Sequence, residues 1–311
     1  GVLMSNFGVG DFIRIKREEQ QYSQEKLSHG ICSEKTLFRI EHGQMPGYFI
    51  LSGLLQRLGF SEKECRLFLS EDEFKLVEQK REIIADNTNG NYLRAIEKIR
   101  KLEENPKTAD NRFIQQFILR SKAVAGYEKD GERVAYDSRT QREMLVQALE
   151  MTSPNIQKSR GCDFLFGEEE IKILNQIANS YSEEGNRLKA IEIYRYLFNY
   201  IKSHIMDGEI FAVTLPLVAY NYSKCLGLEH CYDEAIDVAE QGRRCCIRHN
   251  KSRMLGGLLL NLGCVYHDKG DEEKGKDFIV RSYQMYREME AFRSCKVVKD
   301  YARETWGIEL P

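Results

Sequence analysis

Proline is scarce. There are 5 in 311 residues, against a typical ~5%, and because helix interiors exclude proline this points to a helical chain. A charge excess is missing too: 46 Lys+Arg against 48 Asp+Glu leave a net charge of −2. That excludes a strongly basic whole-chain polyanion binder but leaves room for a local basic face. The longest apolar run, MLGGLLLNLG at 254–263, falls far short of the ~20 residues of a membrane span. The N-terminal stretch GVLMSNFGVGD has no basic n-region and no apolar core, so no secretory signal is expected. Gly1 to Leu3, ahead of Met4, read as a cloning remnant and are set aside. Nine cysteines form no paired CxxC motifs, and the adjacent Cys245 and Cys246 suit neither a disulfide nor a zinc site. Free thiols in a reducing cytoplasm are the simplest reading. No GxxxxGK[ST], HExxH or GxSxG occurs, and no GxGxxG follows a strand, so neither an enzyme nor a cofactor is expected. Cys264 and His267 have metal spacing but no second pair, and a helical core position explains them better. Cys32 reads as a small hydrophobe in a turn rather than a redox switch.

What is present is a globular chain, 30% charged and 42% hydrophobic, with length for about two domains. The first seventy residues break into short helices. Phe12, Ile13 and Ile15 mark the first, and Ser23 caps a second, QEKLSHG, which Gly30 ends. Ser33 caps a third, EKTLFRIEHG, stopped by Gly43; a fourth, YFILSGLLQRLG, follows Pro46. Capping boxes of the S-x-x-E form, Ser61–Glu64 and Ser70–Glu73, open further helices. The second and third helices, joined by a glycine-containing turn, have helix-turn-helix spacing. Leu37 and Ile40 anchor the third, which then exposes Glu34, Lys35, Thr36, Phe38 and Arg39. A helix held this way fits a DNA major groove.

The string running from Gly10 through Tyr22-Ser23-Gln24-Glu25-Lys26-Leu27, Gly30-Ile31-Cys32-Ser33 and Thr36-Leu37-Phe38-Arg39-Ile40-Glu41-His42-Gly43 to Pro46 resembles a Cro/C1-type (XRE), lambda-repressor-like DNA-binding domain. The resemblance implies a five-helix domain over residues 1–69, with a phosphate contact from Gln24 and base reading by Ser33, Glu34, Lys35, Thr36 and Arg39. It also implies a buried, helix-ending Arg39–Ile40–Glu41 segment. Phe38 departs from the small polar residue usual there, and either meets a thymine methyl or packs internally. Residues 1–70 carry nine cationic and eight acidic side chains, so DNA binding requires the cations on one face. A bundle that keeps the shape without the function is the competing reading.

Residues 71–103 read as two helices broken at NTNGN, and the segment 70–110 as a linker or first helical pair. Beyond it, repeats set the pattern. From Tyr181, small or apolar residues recur at Ala178, Ala190, Tyr194 and Leu197; from Leu226 at Ser223, Ala235, Ala239 and Gly242; from Tyr266 at Gly263, Gly275, Ile279 and Ser282. Small residues let paired helices approach, and stacked pairs share one core. An earlier, weaker unit includes Tyr127, Gly131, an inserted loop and the helix SRTQREMLVQALEMT. Pro216 marks a helix start or kink, GCDFLFGEEE a loop leading to a solvated acidic helix start, and AFRSCKVVKDYARETWG a capping helix. This resembles a divergent tetratricopeptide repeat, giving an all-α fold with a right-handed α-solenoid over residues 111–311.

Two residues before each small anchor stand Gln176, Asn221 and Asn261, with Lys122 in the weaker unit and Asn179 one turn after Asn175. Side-chain amides pair with both halves of a peptide backbone, though Asn and Gln also simply fill solvated helix positions. The combination of an XRE-like domain with such repeats, including GICSEKTLFRIEHGQ and NRFIQQFILRSKAVAGYEKDG, resembles the RRNPP (Rgg/PlcR-like) peptide-sensing transcription regulators of Gram-positive bacteria. That resemblance implies a homodimer, a two-half-site double-stranded DNA operator, and a short signalling peptide in the concave groove, held by Asn175, Asn179, Asn221 and Asn261. The alternative is a repeat-based protein–protein adaptor in which the DNA-binding domain is secondary.

Overall fold

The computed structural model describes residues 7–63, 65, 69–158 and 164–311. Glu64, and with it the Ser61–Glu64 capping box, lies outside the described residues. Fifteen α-helices are described, with one small hairpin. They group into two compact units, residues 1–180 and 181–311. The expected boundaries at 69 and 110 both fall within the first unit.

The first unit begins with α1 (Val9–Glu19), α2 (Gln24–Ser28), α3 (Glu34–Glu41) and α4 (Tyr48–Arg57). Ser23 and Ser33 cap α2 and α3 by accepting the amide protons of Lys26 and Thr36. Ile13, Leu27, Leu37, Ile40, Leu51 and Leu54 form the core of these helices, joined by Leu165 from far along the chain. Next come α5 (Glu71–Thr88), α6 (Tyr92–Glu103), α7 (Arg112–Ala125) and α8 (Ser138–Glu150). Ser70 and Glu73 close a complete capping box at the start of α5. Ile83, Ile99, Leu102, Ile114 and Phe117 make a second core, which Phe49 of α4 also touches.

Where a loop was expected after α7, the chain forms a hairpin: β1 (Tyr127–Lys129) pairs antiparallel with β2 (Glu132–Val134). Its tip is Asp130-Gly131, with φ of 52° and 81°, the left-handed pair of a two-residue hairpin turn. The unit's last helix, α9 (Glu168–Glu183), runs across the division between units.

The second unit contains α10 (Arg187–His204), α11 (Gly208–Leu228), α12 (Tyr232–Arg248), α13 (Leu255–Asp268), α14 (Glu272–Glu288) and α15 (Phe292–Trp306). The repeat anchors mark helix ends. The carbonyls of Leu226 and Tyr266 each accept the amide five residues on, at 2.9 Å, and the same bond recurs from Ala291 to Tyr286. Each turn needs a left-handed residue: His230, Gly270 and Glu290 supply it, with φ of 61°, 98° and 54°. Between α13 and α14 the crossing is backbone on backbone. A Cβ on Gly263 would lie 2.5 Å from Ile279 Cγ1 and 3.0 Å from the Gly275 oxygen. Pro216 does not start a helix. It sits inside α11, which begins eight residues earlier, where Asp207 caps the amides of Glu209 and Ile210 at 2.9 Å.

Two substitutions test this account of the repeats. Gly263→Ala should lower stability by about 1–3 kcal/mol, because the added methyl has no space. Glu290→Gly should raise it by up to about 1 kcal/mol, by relieving a left-handed non-glycine residue. Thermal unfolding of the two variants checks both signs; a stabilised Gly263→Ala would contradict the close crossing.

Candidate functional site

What α3 exposes depends on what holds it. Leu37 and Ile40 are fully buried and leave Glu34, Lys35, Phe38 and Arg39 on the open face. The expectation that Arg39 belongs to a buried segment does not hold: Ile40 and Glu41 turn inward while Arg39 is exposed, since one helix residue rotates the next by about 100°. Lys35 and Arg39 form no ion pair among the described residues. Ser33 and Thr36 sit at the helix start and are engaged with each other, their hydroxyls 2.9 Å apart. Phe38 does not pack internally. It is half exposed and stacks on His42, with ring centroids 4.0 Å apart.

Gln24 opens α2, half-buried, and donates to Glu41 Oε2 at 2.6 Å. The same carboxylate takes Arg17 Nε at 2.7 Å and Nη2 at 3.1 Å. The hydrogen bond to Glu41 pushes the Arg17 pKa up, so this fork stays charged and ties α1 to the end of α3.

A second, deeper fork is centred on Arg57 of α4, which is 3% exposed. Its Nη1 donates to the carbonyls of Leu27, at 3.3 Å, and His29. Its Nη2 donates to the Thr152 carbonyl at 2.6 Å and to Glu170 Oε1 at 3.1 Å. Glu170 was expected in a solvated helix start, but it is 5% exposed. It also accepts from the Thr152 and Ser153 hydroxyls at 2.7 and 3.1 Å and from the Gly167 amide at 2.6 Å. The turn before α3 is thereby fastened to the start of α9. Three further contacts reinforce it: His29 Nε2 donates to the Pro154 carbonyl at 3.0 Å, Arg112 to the Gly30 carbonyl at 2.7 Å, and Gln56 accepts the Glu168 amide at 3.0 Å. Gly30 is required there: its φ is 75°, and a Cβ would stand 2.1 Å from the Thr152 oxygen.

The amide positions of the repeats have varied surroundings. In the first unit, Lys122 on α7 is paired with Glu103 at 2.8 Å. On α9, Asn175 is buried, while Gln176 and Asn179 are half-buried. The Gln176 Oε1 is buried with no hydrogen-bond donor. In the second unit, Asn221 on α11 is half-buried and bonds the Leu217 carbonyl at 3.3 Å. Asn261 on α13 is 7% exposed. Its Nδ2 donates to the Tyr220 carbonyl at 2.8 Å and the Ser223 hydroxyl at 2.9 Å, which spends its donor on cross-linking α13 to α11.

Residues 80–290 match the model of the RNPP family C-terminal domain. The chain belongs to the RNPP family. Among solved structures, Bacillus thuringiensis PlcR in complex with the peptide PapR7 and DNA is similar at 22% identity and TM-score 0.60, over 93% of this chain and 98% of that one. The apo form of PlcR is similar at 19% and 0.59, over 93% and 97%. ComR from S. thermophilus in complex with DNA and its signalling peptide ComS is similar at 14% and 0.53, over 94% and 98%. These likenesses extend through the N-terminal helices and establish a shared helix-turn-helix and repeat fold. No curated protein matches the chain.

The Arg57–Glu170 fork of this RNPP chain escaped the sequence reading. One signal was there: Arg57 follows Leu54 by three residues, on the apolar face of α4. Elsewhere, the Cys264 thiol is pushed up to about 11 by burial, and His267 packs against Trp306 with ring centroids 4.5 Å apart and planes tilted by 36°. Burial also raises the Cys32 thiol and brings Cys245 and Cys246 to about 11, while Cys231 is exposed.

Glu170→Gln should destabilise the first unit by on the order of 3 kcal/mol, because it leaves the Arg57 charge buried and uncompensated. It should also speed hydrogen exchange at the amides of residues 27–32; unchanged exchange there would sink the fastening role. Alkylation of the native chain at pH 8 should label Cys231 well before Cys245, Cys246 or Cys264, since only thiolates react; peptide mapping reads the order.

Proposed function

We propose that the chain is a sequence-specific DNA-binding transcription regulator, working as a homodimer and controlled by a short peptide bound along its repeat helices. One observation carries the DNA part: α3 is rigidly capped and anchored, yet presents Phe38 outward together with Lys35 and Arg39, which form no ion pair among the described residues. An anchored helix with free cations on its open face is what major-groove reading needs. In this proposal Glu34, Lys35, Phe38 and Arg39 face the bases, and Ser33 and Thr36 sit near the backbone. Gln24 reaches a phosphate only by sharing its amide with Glu41.

The peptide part is supported by family membership and by PlcR, whose structure holds both a peptide and DNA. The candidate peptide contacts of the first unit, taken by itself, are Lys122, Asn175, Gln176 and Asn179; Asn221 is a candidate of the second unit, taken by itself. Asn261 positions its neighbours.

The reading is tested by selecting random duplex DNA on the purified chain and measuring affinity across a salt series. A motif of two half-sites about one helical turn apart, bound less tightly as salt rises, is expected. Arg39→Ala should weaken the selected duplex by about 1–3 kcal/mol, whereas Asn221→Ala should leave the affinity of the peptide-free protein unchanged. Absence of any selected motif, with short peptides both present and withheld, would refute the proposal.

A further inference from the structure

Phe38 is the least expected residue on the open face of α3. Its aromatic ring is half exposed between the exposed charges of Lys35 and Arg39. Its orientation is also fixed rather than free. The His42 Nδ1 donates to the Phe38 carbonyl at 2.7 Å, which locks the imidazole. The imidazole then lies against one face of the phenyl ring, centroids 4.0 Å apart and planes 29° from parallel. The rest of the ring is half exposed. On either side along the helix stand Lys35 and Arg39, both exposed and forming no ion pair among the described residues.

We propose that Phe38 is a specificity-determining residue that reads the 5-methyl group of one thymine in each half-site, with His42 as the positioning residue that holds the ring in place. The inference rests on the DNA-binding reading above. The chemistry is specific: in the major groove the thymine methyl is the apolar feature among the base edges, and the ring has no hydrogen-bonding atom with which to read any other. The flanking cations favour a polyanion over an apolar protein surface as the occupant, because an apolar partner would have to desolvate Lys35 and Arg39 without compensation. Burying one methyl against the ring is worth about 0.8 kcal/mol, or about four-fold in affinity.

The experiment uses the full-length protein and the selected duplex, with each thymine replaced singly by deoxyuridine, which removes only the methyl. At one position per half-site, wild-type affinity should fall about four-fold. The same replacement should have no effect on Phe38→Ala, and an intermediate effect on Phe38→Leu, which keeps apolar surface without the ring. His42→Ala should blunt the discrimination while leaving thermal stability unchanged, which a merely structural role would not do. The proposal is overturned if wild type binds the duplex but no thymine replacement matters, or if the loss persists in Phe38→Ala; in either case DNA reading itself still stands. Failure to select any duplex overturns the functional reading and this inference together.

Discussion

A guanidinium taken out of water must be met on nearly every side, or it destabilises whatever surrounds it. Arg57 is such a group. Its two terminal nitrogens meet three carbonyls and one carboxylate, and only its Nε lacks a partner. The acceptors come from three places: the end of α2, the segment at Thr152 and the first turn of α9. None can shift alone without leaving charge unpaired. The position of α3 is therefore tied to residues more than a hundred positions away, which local capping by Ser33 could not achieve. The helices α2 to α4 and the start of α9 are thus held together within the first unit.

The second unit relies on a different constraint, the close approach of helix backbones. Gly263 and Gly275 meet with no room for a methyl, and Gly242 faces the Ala219 side chain in the same manner. Turns closed by left-handed residues at His230, Gly270 and Glu290 reverse the chain at repeated intervals. Packing of small residues sets the crossings and the turns set the helix lengths, so that the apolar stripe of each helix meets its neighbour. Asn261 belongs to this framework, since its donor is consumed between α11 and α13.

Much of this was legible in advance. Serine caps, glycine stops and the spacing of Leu37 and Ile40 located the first helices to within a residue or two, because those signals act through neighbouring backbone atoms. The anchors Leu226 and Tyr266 were found by periodicity and prove to be helix-closing positions. The hairpin at 127–134 was missed, although Asp130-Gly131 is a turn signal with a mechanism; a repeat pattern led the reading past it. Pro216 was read as a helix start or kink; it does not start α11, because the Asp207 cap upstream does so. Glu170 was read as solvated because a run of three acids describes helix polarity and says nothing of what packs above it.

The sequence by itself determined the all-helical class, the helix-turn-helix spacing, the repeat pattern and the outward set Lys35, Phe38 and Arg39. Each follows from interactions within a few residues, or from a periodicity that a linear string displays. Tertiary structure alone decided that Arg57 and Glu170 are partners, that Gln24 is shared with Glu41, that Asn261 is spent internally and that Phe38 is held by His42 rather than buried. Those outcomes depend on which side chains meet across long separations and on how much water is excluded when they do. Burial sets the cost of a charge or a bare aromatic ring, and burial is a property of the folded chain that no local pattern carries.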